Sequence, residues 1–180
     1  MKRLIMFVVV LALVLNAGLA WGAPQKAYVG LFADSDHSVC SVQYTMFDAW
    51  VWWLPSVRGM EAAIYNVALP PNVILLRTTQ NPELYVALGC SVYYCAQFSS
   101  CQMDWAWTHQ LTCYVMPAGV GVPGSMRVVP VPGSPFLDYA DCEPGYPAEP
   151  VTVLNDLYLY QPCAYATEPT SWGAIKSLYR

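Results

Sequence analysis

The stretch MDWAWTHQLTCYVM, residues 103–116, is the longest run of the chain with a regular two-residue alternation. Successive side chains of a strand point to opposite faces, so the odd-numbered residues share one face of this strand. That face would carry Trp105, Trp107, His109, Leu111, Cys113 and Val115. We predict that it faces the core, because two inward tryptophans would each bury roughly 150–250 Å².

The same period of two recurs along the chain in short apolar runs that end at Pro, Gly, Asn or Ser. These runs lie at 27–33, 47–54, 59–69, 72–79, 90–96, 125–131, 136–142 and 156–160. No internal segment of useful length has helical periodicity. Eight to ten short strands separated by turns predict an all-β fold, either a two-sheet antiparallel sandwich or a barrel.

The N-terminus has the three parts of a secretory signal peptide: basic residues 2–3, an apolar run at 4–15, and small residues at Gly18 and Ala20. We expect cleavage after Ala20, with cleavage after Gly22 as the alternative. The apolar run is shorter than the roughly 20 residues that span a bilayer. The predicted organisation is therefore a signal peptide at 1–20, a β-sandwich domain at 21–165, and a tail at 166–180.

Charge limits the partners of the exported chain. Loss of the signal changes the formal net charge from −4 to −6, because Lys2 and Arg3 leave with it. The remaining cations are scattered along the sequence. This distribution predicts no nucleic-acid partner, and no membrane contact after signal removal. The expected location is secreted, at the cell surface or periplasmic.

The seven cysteines all follow the predicted signal, which is typical of an exported protein with disulfides and at least one remaining thiol. Cys95 and Cys101 flank a predicted turn, and Cys142 and Cys163 bracket the last hairpin, so we predict that each of these two pairs forms a bridge. A zinc cluster is the alternative, with ligands drawn from Cys90, Cys95, Cys101, His109 and Cys113. The absence of any C-x-x-C spacing argues against it, and we predict no metal and no cofactor.

Catalytic signatures are sparse. After the signal the histidines are His37 and His109, and the chain has neither G-x-S-x-G nor H-E-x-x-H. We expect a neutral His109 near a sheet end, hydrogen-bonded to backbone. The acidic turn ADSDH at 33–37 is interpreted as solvated, with a weak calcium loop as the alternative. We predict that the protein is not an enzyme, while a hydrolase with two carboxylates stays open as a further hypothesis.

Aromatic residues supply the candidate binding surface. In AWVWWLP, residues 49–55, alternation directs Trp50 and Trp52 to the face opposite Trp53. In LYLY, residues 157–160, Tyr158 and Tyr160 share one face. Exposed aromatic rows suit a sugar or a protein partner. The alternative is that a loop or the C-terminal tail covers them.

The tail differs in pattern from the rest of the chain. Pro169 interrupts any strand, and Thr170 or Ser171 can cap a short helix. The helix would present one apolar stripe, formed by Trp172, Ile175 and Leu178. We interpret residues 170–180 as a detachable tail recognised by an export or surface-anchoring partner. Packing of the stripe on the protein's own sheet is the alternative.

Three segments carry a resemblance to known proteins. AYVGLFADSDHSVCSV (27–42), GMEAAIYNVALPP (59–71) and DYADCEPG (138–145) resemble exported bacterial β-sandwich proteins, and the second segment is similar to a strand pattern of cohesin-like domains. This resemblance implies a jelly-roll or immunoglobulin/cohesin-like fold. It also implies non-enzymatic adhesion, surface assembly or protein binding. A carbohydrate-binding module using Trp and Tyr rows is the alternative. Cohesins are usually poor in Cys, so the resemblance does not extend to dockerin binding.

Overall fold

The computed structural model describes residues 26–85 and 93–163. The strands are β1 (Ala27–Phe32), β2 (Ser41–Val42), β3 (Met46–Leu54), β4 (Met60–Ala68), β5 (Val73–Gln80), β6 (Tyr94–Gln102), β7 (Ala106–Val115), β8 (Gly124–Val129), β9 (Asp138–Ala140), β10 (Ala148–Asn155) and β11 (Leu157–Leu159). Within these ranges the single helical element is the 3-10 turn Pro117–Gly119, and no described helix is long and apolar enough to cross a membrane. The predicted signal at 1–20 and the predicted helix of the tail lie outside the described residues.

The strands form one connected sheet in the order β2-β11-β8-β4-β9-β10-β1-β3-β7-β5, with β6 beside β4. The all-β class is confirmed, but a division into two separate sheets is not. The connection is β10, whose first half pairs with β9 and whose second half pairs with β1. The prediction of a purely antiparallel arrangement is wrong, because β10 runs parallel to β1 and β11 runs parallel to β2.

The core lies where β4 and β6 face β3 and β7. Trp53 of β3 and Tyr65 of β4 are almost fully buried, with ring centroids 5.4 Å apart. Tyr94 of β6 lies 5.1 Å from the His109 ring of β7. These contacts bring distant parts of the sheet face to face around a single hydrophobic core.

A β-bulge reverses the faces of β7. Val51 of β3 pairs with His109, but the next residue, Trp52, pairs with Trp107, so Thr108 is an extra residue. From His109 to the end of the strand the odd residues are buried, as predicted. Before the bulge the faces exchange, because one inserted residue shifts the two-residue period. The prediction that Trp105 and Trp107 face the core is therefore wrong.

Both predicted cysteine pairings are also wrong. The bridges are Cys40–Cys163 and Cys101–Cys142, with Cα atoms 5.7 and 5.8 Å apart. Cys95 is disulfide-bonded as well, so all four cysteines predicted to form bridges do so. Cys113 is free and fully buried.

Tertiary pairing explains the observed bridges. β11 runs beside β2, and the Tyr158 amide donates to the Cys40 carbonyl at 2.9 Å, which places the residues after β11 next to Cys40. At the other bridge, the Cys142 amide donates to the Arg58 carbonyl at 3.3 Å, beside the end of β6 that carries Cys101. Gly59 lies here with φ +73°, and a Cβ on it would collide with Cys101 Sγ and lie 3.0 Å from Cys142 Sγ.

Candidate functional site

Four tryptophans gather on the outer side of β3 and β7, a surface that we call the indole face: Trp50, Trp52, Trp105 and Trp107. All four are half-buried. The rings of Trp50 and Trp107 are 4.8 Å apart in an edge-to-face arrangement at 77°. β3 directs Trp50 and Trp52 outward and Trp53 into the core, which follows from strand alternation.

The loop after β1 covers one end of the indole face. His37 has φ 45°, and its ring lies 4.8 Å from Trp52 and 4.6 Å from Trp105. Asp34 organises this loop by accepting the amides of Ser38 and Val39 at 2.9 and 3.0 Å and the Ser38 hydroxyl. A loop therefore covers Trp52. This agrees with the alternative interpretation, in which the aromatic residues are not exposed as a row.

The same contacts are relevant to the alternative interpretation of residues 33–37 as a weak calcium-binding loop. Burial raises the pKa of Asp34, but hydrogen bonds from Ser38 and Val39 outweigh this and hold it below its ordinary value. Both carboxylate oxygens of Asp34 accept hydrogen bonds from protein donors. The turn is thus built by internal hydrogen bonds, and in the described residues no three His, Cys, Asp or Glu side chains are grouped to hold a metal.

The other end of the indole face has a polar rim. Thr112 of β7 donates to Asp48 of β3 at 2.7 Å, and Arg77 of β5 pairs with Thr112 from the opposite side. Arg77 is exposed and forms no ion pair with any residue of 26–85 or 93–163. Aromatic side chains, a carboxylate and a guanidinium thus share one surface, and aromatic residues and Arg are enriched in protein interfaces.

The alternating pattern predicts Trp105 and Trp107 in the core and does not single out Asp48 or Arg77. The pairing of β3 with β7, which the sequence alone does not show, explains the outward position of Trp107. Trp53 is paired with Ala106, so a large inward indole is matched by a small residue on the neighbouring strand. The alternation alone could not reveal the extra residue at Thr108.

The predicted tyrosine row does not form. Tyr158 of β11 is half-buried and paired with Ser125 and Ser41. Tyr160 has φ 53° and packs against the core, so it does not continue the row. β11 pairs with β8 and β2, not with β3, so these tyrosines are separate from the indole face. The remaining predicted binding residues, Trp172, Ile175 and Leu178, lie outside the described residues.

His109 belongs to a buried polar group. Its Nδ1 lies 2.7 Å from the Tyr65 hydroxyl, which also contacts the Thr108 hydroxyl. Burial lowers the pKa of His109 to about 4 and raises the pKa of Cys113 to about 12. The expectation of a neutral His109 agrees with this environment, but its partner is a side chain in the core and not backbone near a sheet end.

Three acidic residues of the described chain surround Arg58. Its guanidinium lies 3.4 Å from Asp141, 3.5 Å from Glu143 and 3.3 Å from Glu149. The second Glu149 oxygen accepts hydrogen bonds from Ser56 and Tyr139, each at 2.6 Å. Burial, followed by the hydrogen bond to Glu149, raises the pKa of Tyr139 to about 12. This arrangement pairs carboxylates with donors beside the Cys101–Cys142 bridge.

A shallow trough of about 290 Å³ lies beside β4, β6 and β9. Ala62, Ala140 and Ala148 form much of its lining, and Asp138 is the one carboxylate among its described lining residues. These residues do not supply the second carboxylate that the hydrolase hypothesis requires. The indole face is the more distinctive binding surface, because it combines large aromatic groups with both signs of charge.

No protein-family model matches the chain, and no curated protein matches it. Among solved structures, the chain is similar to one from a type I cohesin–dockerin complex of Clostridium thermocellum. The two are 8% identical, with a TM-score of 0.49, over 76% of this chain and 94% of the other. At that level of similarity, nothing about the function of this protein follows.

Proposed function

We propose that the protein is a non-enzymatic exported binding protein, acting in extracellular adhesion or surface assembly, and that the indole face contacts a protein partner. The observation that carries this proposal is the Trp50–Trp107 pair next to Asp48 and Arg77, which forms no ion pair with any described residue. Few side chains usually supply most of the binding free energy in an interface, and Trp and Arg are prominent among them.

Packing prepares the tryptophans for this role. Each indole is held by a neighbouring ring, so a partner would restrict little further side-chain motion on binding. Asp48 is likewise oriented by Thr112. We therefore expect a partner with an apolar contact for Trp50 and Trp107 and a carboxylate that faces Arg77.

A carbohydrate ligand is the second candidate, because four tryptophans share one surface. A sugar ring stacks on the flat face of an indole, and a row of such faces should be nearly coplanar. The 77° angle between Trp50 and Trp107 and the loop over Trp52 do not provide a flat row. These features favour a protein partner.

Export agrees with the cysteine chemistry. Disulfides such as Cys40–Cys163 and Cys101–Cys142 persist in oxidising compartments and are rare in the cytosol. We propose that residues 1–20 are removed as a signal peptide and that the mature protein is secreted, at the cell surface or periplasmic. The charge distribution supports neither nucleic acid nor a membrane as its partner.

The double variant Trp50→Ala/Trp107→Ala tests the proposed surface. The immobilised mature protein is exposed to surface proteins of the producing cells and, separately, to soluble polysaccharides, and a retained partner is purified for affinity measurements. We expect a protein partner whose Kd rises at least about 30-fold in the double variant, as for interface residues worth 2 kcal/mol or more.

Phe136→Ala is the matched control, because Phe136 is 68% exposed and lies between β8 and β9. It should bind like the wild type. Retention of a polysaccharide that depends on Trp50 would favour the carbohydrate-binding alternative. Equal affinity of the double variant and the wild type would exclude the indole face as the binding surface.

The C-terminal residues 170–180 are proposed as a separate recognition tail for export or surface anchoring. Their deletion should change the free energy of unfolding by less than about 1 kcal/mol, as for surface changes remote from the core. The same deletion should alter where the protein accumulates, measured by fractionation of the producing cells. Unfolding of the truncated protein would show instead that the tail is part of the core.

A further inference from the structure

β5 is a long strand at one end of the sheet. Its strand partner in the described structure is β7, and residues 74–78 are all exposed. Three adjacent apolar side chains, Ile74, Leu75 and Leu76, are 42%, 38% and 51% exposed. A strand edge presents unpaired N–H and C=O groups, which pair readily with another strand.

The other sheet edges are protected. β2 is only two residues long and lies next to the Cys40–Cys163 bridge. The free side of β6 is covered where Leu84 bridges to Phe98 and the Tyr85 amide donates to the Gln97 carbonyl at 2.8 Å. β5 has neither Pro nor Lys, residues that commonly block an edge. Its register against β7 shifts between Leu75 and Arg77, so its edge protection is limited to one bulge and one charged side chain.

The core is also uncovered along β5. Leu75 pairs with Cys113, which is fully buried on the core face of β7. Directly opposed residues of paired strands point to the same face, so Leu75 lies on the core side and is nevertheless over one-third exposed. An added strand would form hydrogen bonds with the exposed N–H and C=O groups of β5. It would also cover this apolar surface.

We propose that β5 pairs antiparallel with β5 of a second copy of this chain, which joins two sheets into one. A register centred on Leu75 places residues 74–76 beside the same residues of the other copy. The two Arg77 side chains would then be four residues apart along the paired strands, about 13 Å, which avoids opposing like charges. A second copy thus supplies apolar side chains where the first lacks cover.

This pairing has a consequence for binding, which rests on the proposed function of the indole face. A two-fold axis perpendicular to the joined sheet leaves both indole faces on the same side. Two linked sites bind a surface with many copies of a partner more tightly than one site does. The dimer would therefore suit adhesion or surface assembly.

Sedimentation equilibrium of the mature, oxidised protein over a range of concentrations tests the proposal. We expect a monomer–dimer equilibrium that Leu76→Lys weakens at least about 10-fold, because each copy would place a charge at the joined edge. Val120→Lys is the matched control, since Val120 is 50% exposed in the turn after β7. It should dimerise like the wild type.

Hydrogen exchange provides a second measurement that does not depend on a variant. The β5 amides that point away from β7 should exchange slowly in the dimer and quickly after dilution to monomer. A wild type that stays monomeric at every concentration would overturn the proposal. Slow exchange of these outward amides in the monomer would also overturn it, because it would show that the chain covers its own edge. Equal dimerisation of the two lysine variants would also overturn it. Trp50→Ala/Trp107→Ala should still dimerise, which separates this test from that of the binding surface.

Discussion

Replacement of Cys40 and Cys163 together by serine is expected to lower the free energy of unfolding by about 2–5 kcal/mol. The bridge joins residues 123 positions apart, so its loss opens a long loop in the unfolded state, within which the Cys101–Cys142 bridge stays closed. It also releases the end of β11 from β2. Denaturant unfolding of the oxidised proteins measures the difference.

The matched variant is Cys101→Ser/Cys142→Ser, which opens a loop of 41 residues. Because loop-closure entropy rises with the logarithm of loop length, the Cys40–Cys163 variant should lose about 1 kcal/mol more than this one. A smaller loss for the longer loop would contradict the entropic explanation. It would indicate that native contacts around Gly59 and Arg58 determine the contribution of the shorter bridge.

Acidification from about pH 6.5 to pH 4 is expected to destabilise the protein by about 3 kcal/mol through His109 alone. Burial lowers the pKa of folded His109 to about 4, while the unfolded side chain titrates near 6.5. Between these values the unfolded state binds a proton that the folded state excludes, so stability falls as pH falls. Denaturant unfolding at several pH values measures this slope.

Two variants identify the source of the slope. His109→Gln retains polar groups for Tyr65 but cannot titrate, so its slope between pH 6.5 and 4 should be much reduced. Phe136→Ala, at an exposed residue that does not titrate, should keep the wild-type slope. Asp34 acts in a lower pH range, because its lowered pKa stabilises the folded state above about pH 4 and this contribution is lost below it. An unchanged slope in His109→Gln would rule out His109 as the cause.

Some features of this protein follow from residues close together in the chain. Alternation along each strand predicts the all-β class, because side chains of successive residues must point to opposite faces. The same rule separates Trp50 and Trp52 from Trp53, and it places His109, Leu111 and Cys113 together. Seven cysteines behind a predicted signal peptide predict disulfides, because exported proteins reach an oxidising compartment. This prediction does not need the positions of the partners.

Other features depend on which distant segments pack together. The inserted residue at Thr108 reverses the faces of Trp105 and Trp107, and it is defined only by the register of β7 against β3. Cys40 meets Cys163 because β2 and β11 are paired, across 123 positions of sequence. Strand pairing also leaves β5 at an edge and aligns Asp48 and Arg77 with the outer tryptophans. Alternation is a local steric rule that each segment obeys by itself. Register and strand order instead minimise the free energy of the whole sheet. Only the tertiary structure could therefore decide the register and the strand order.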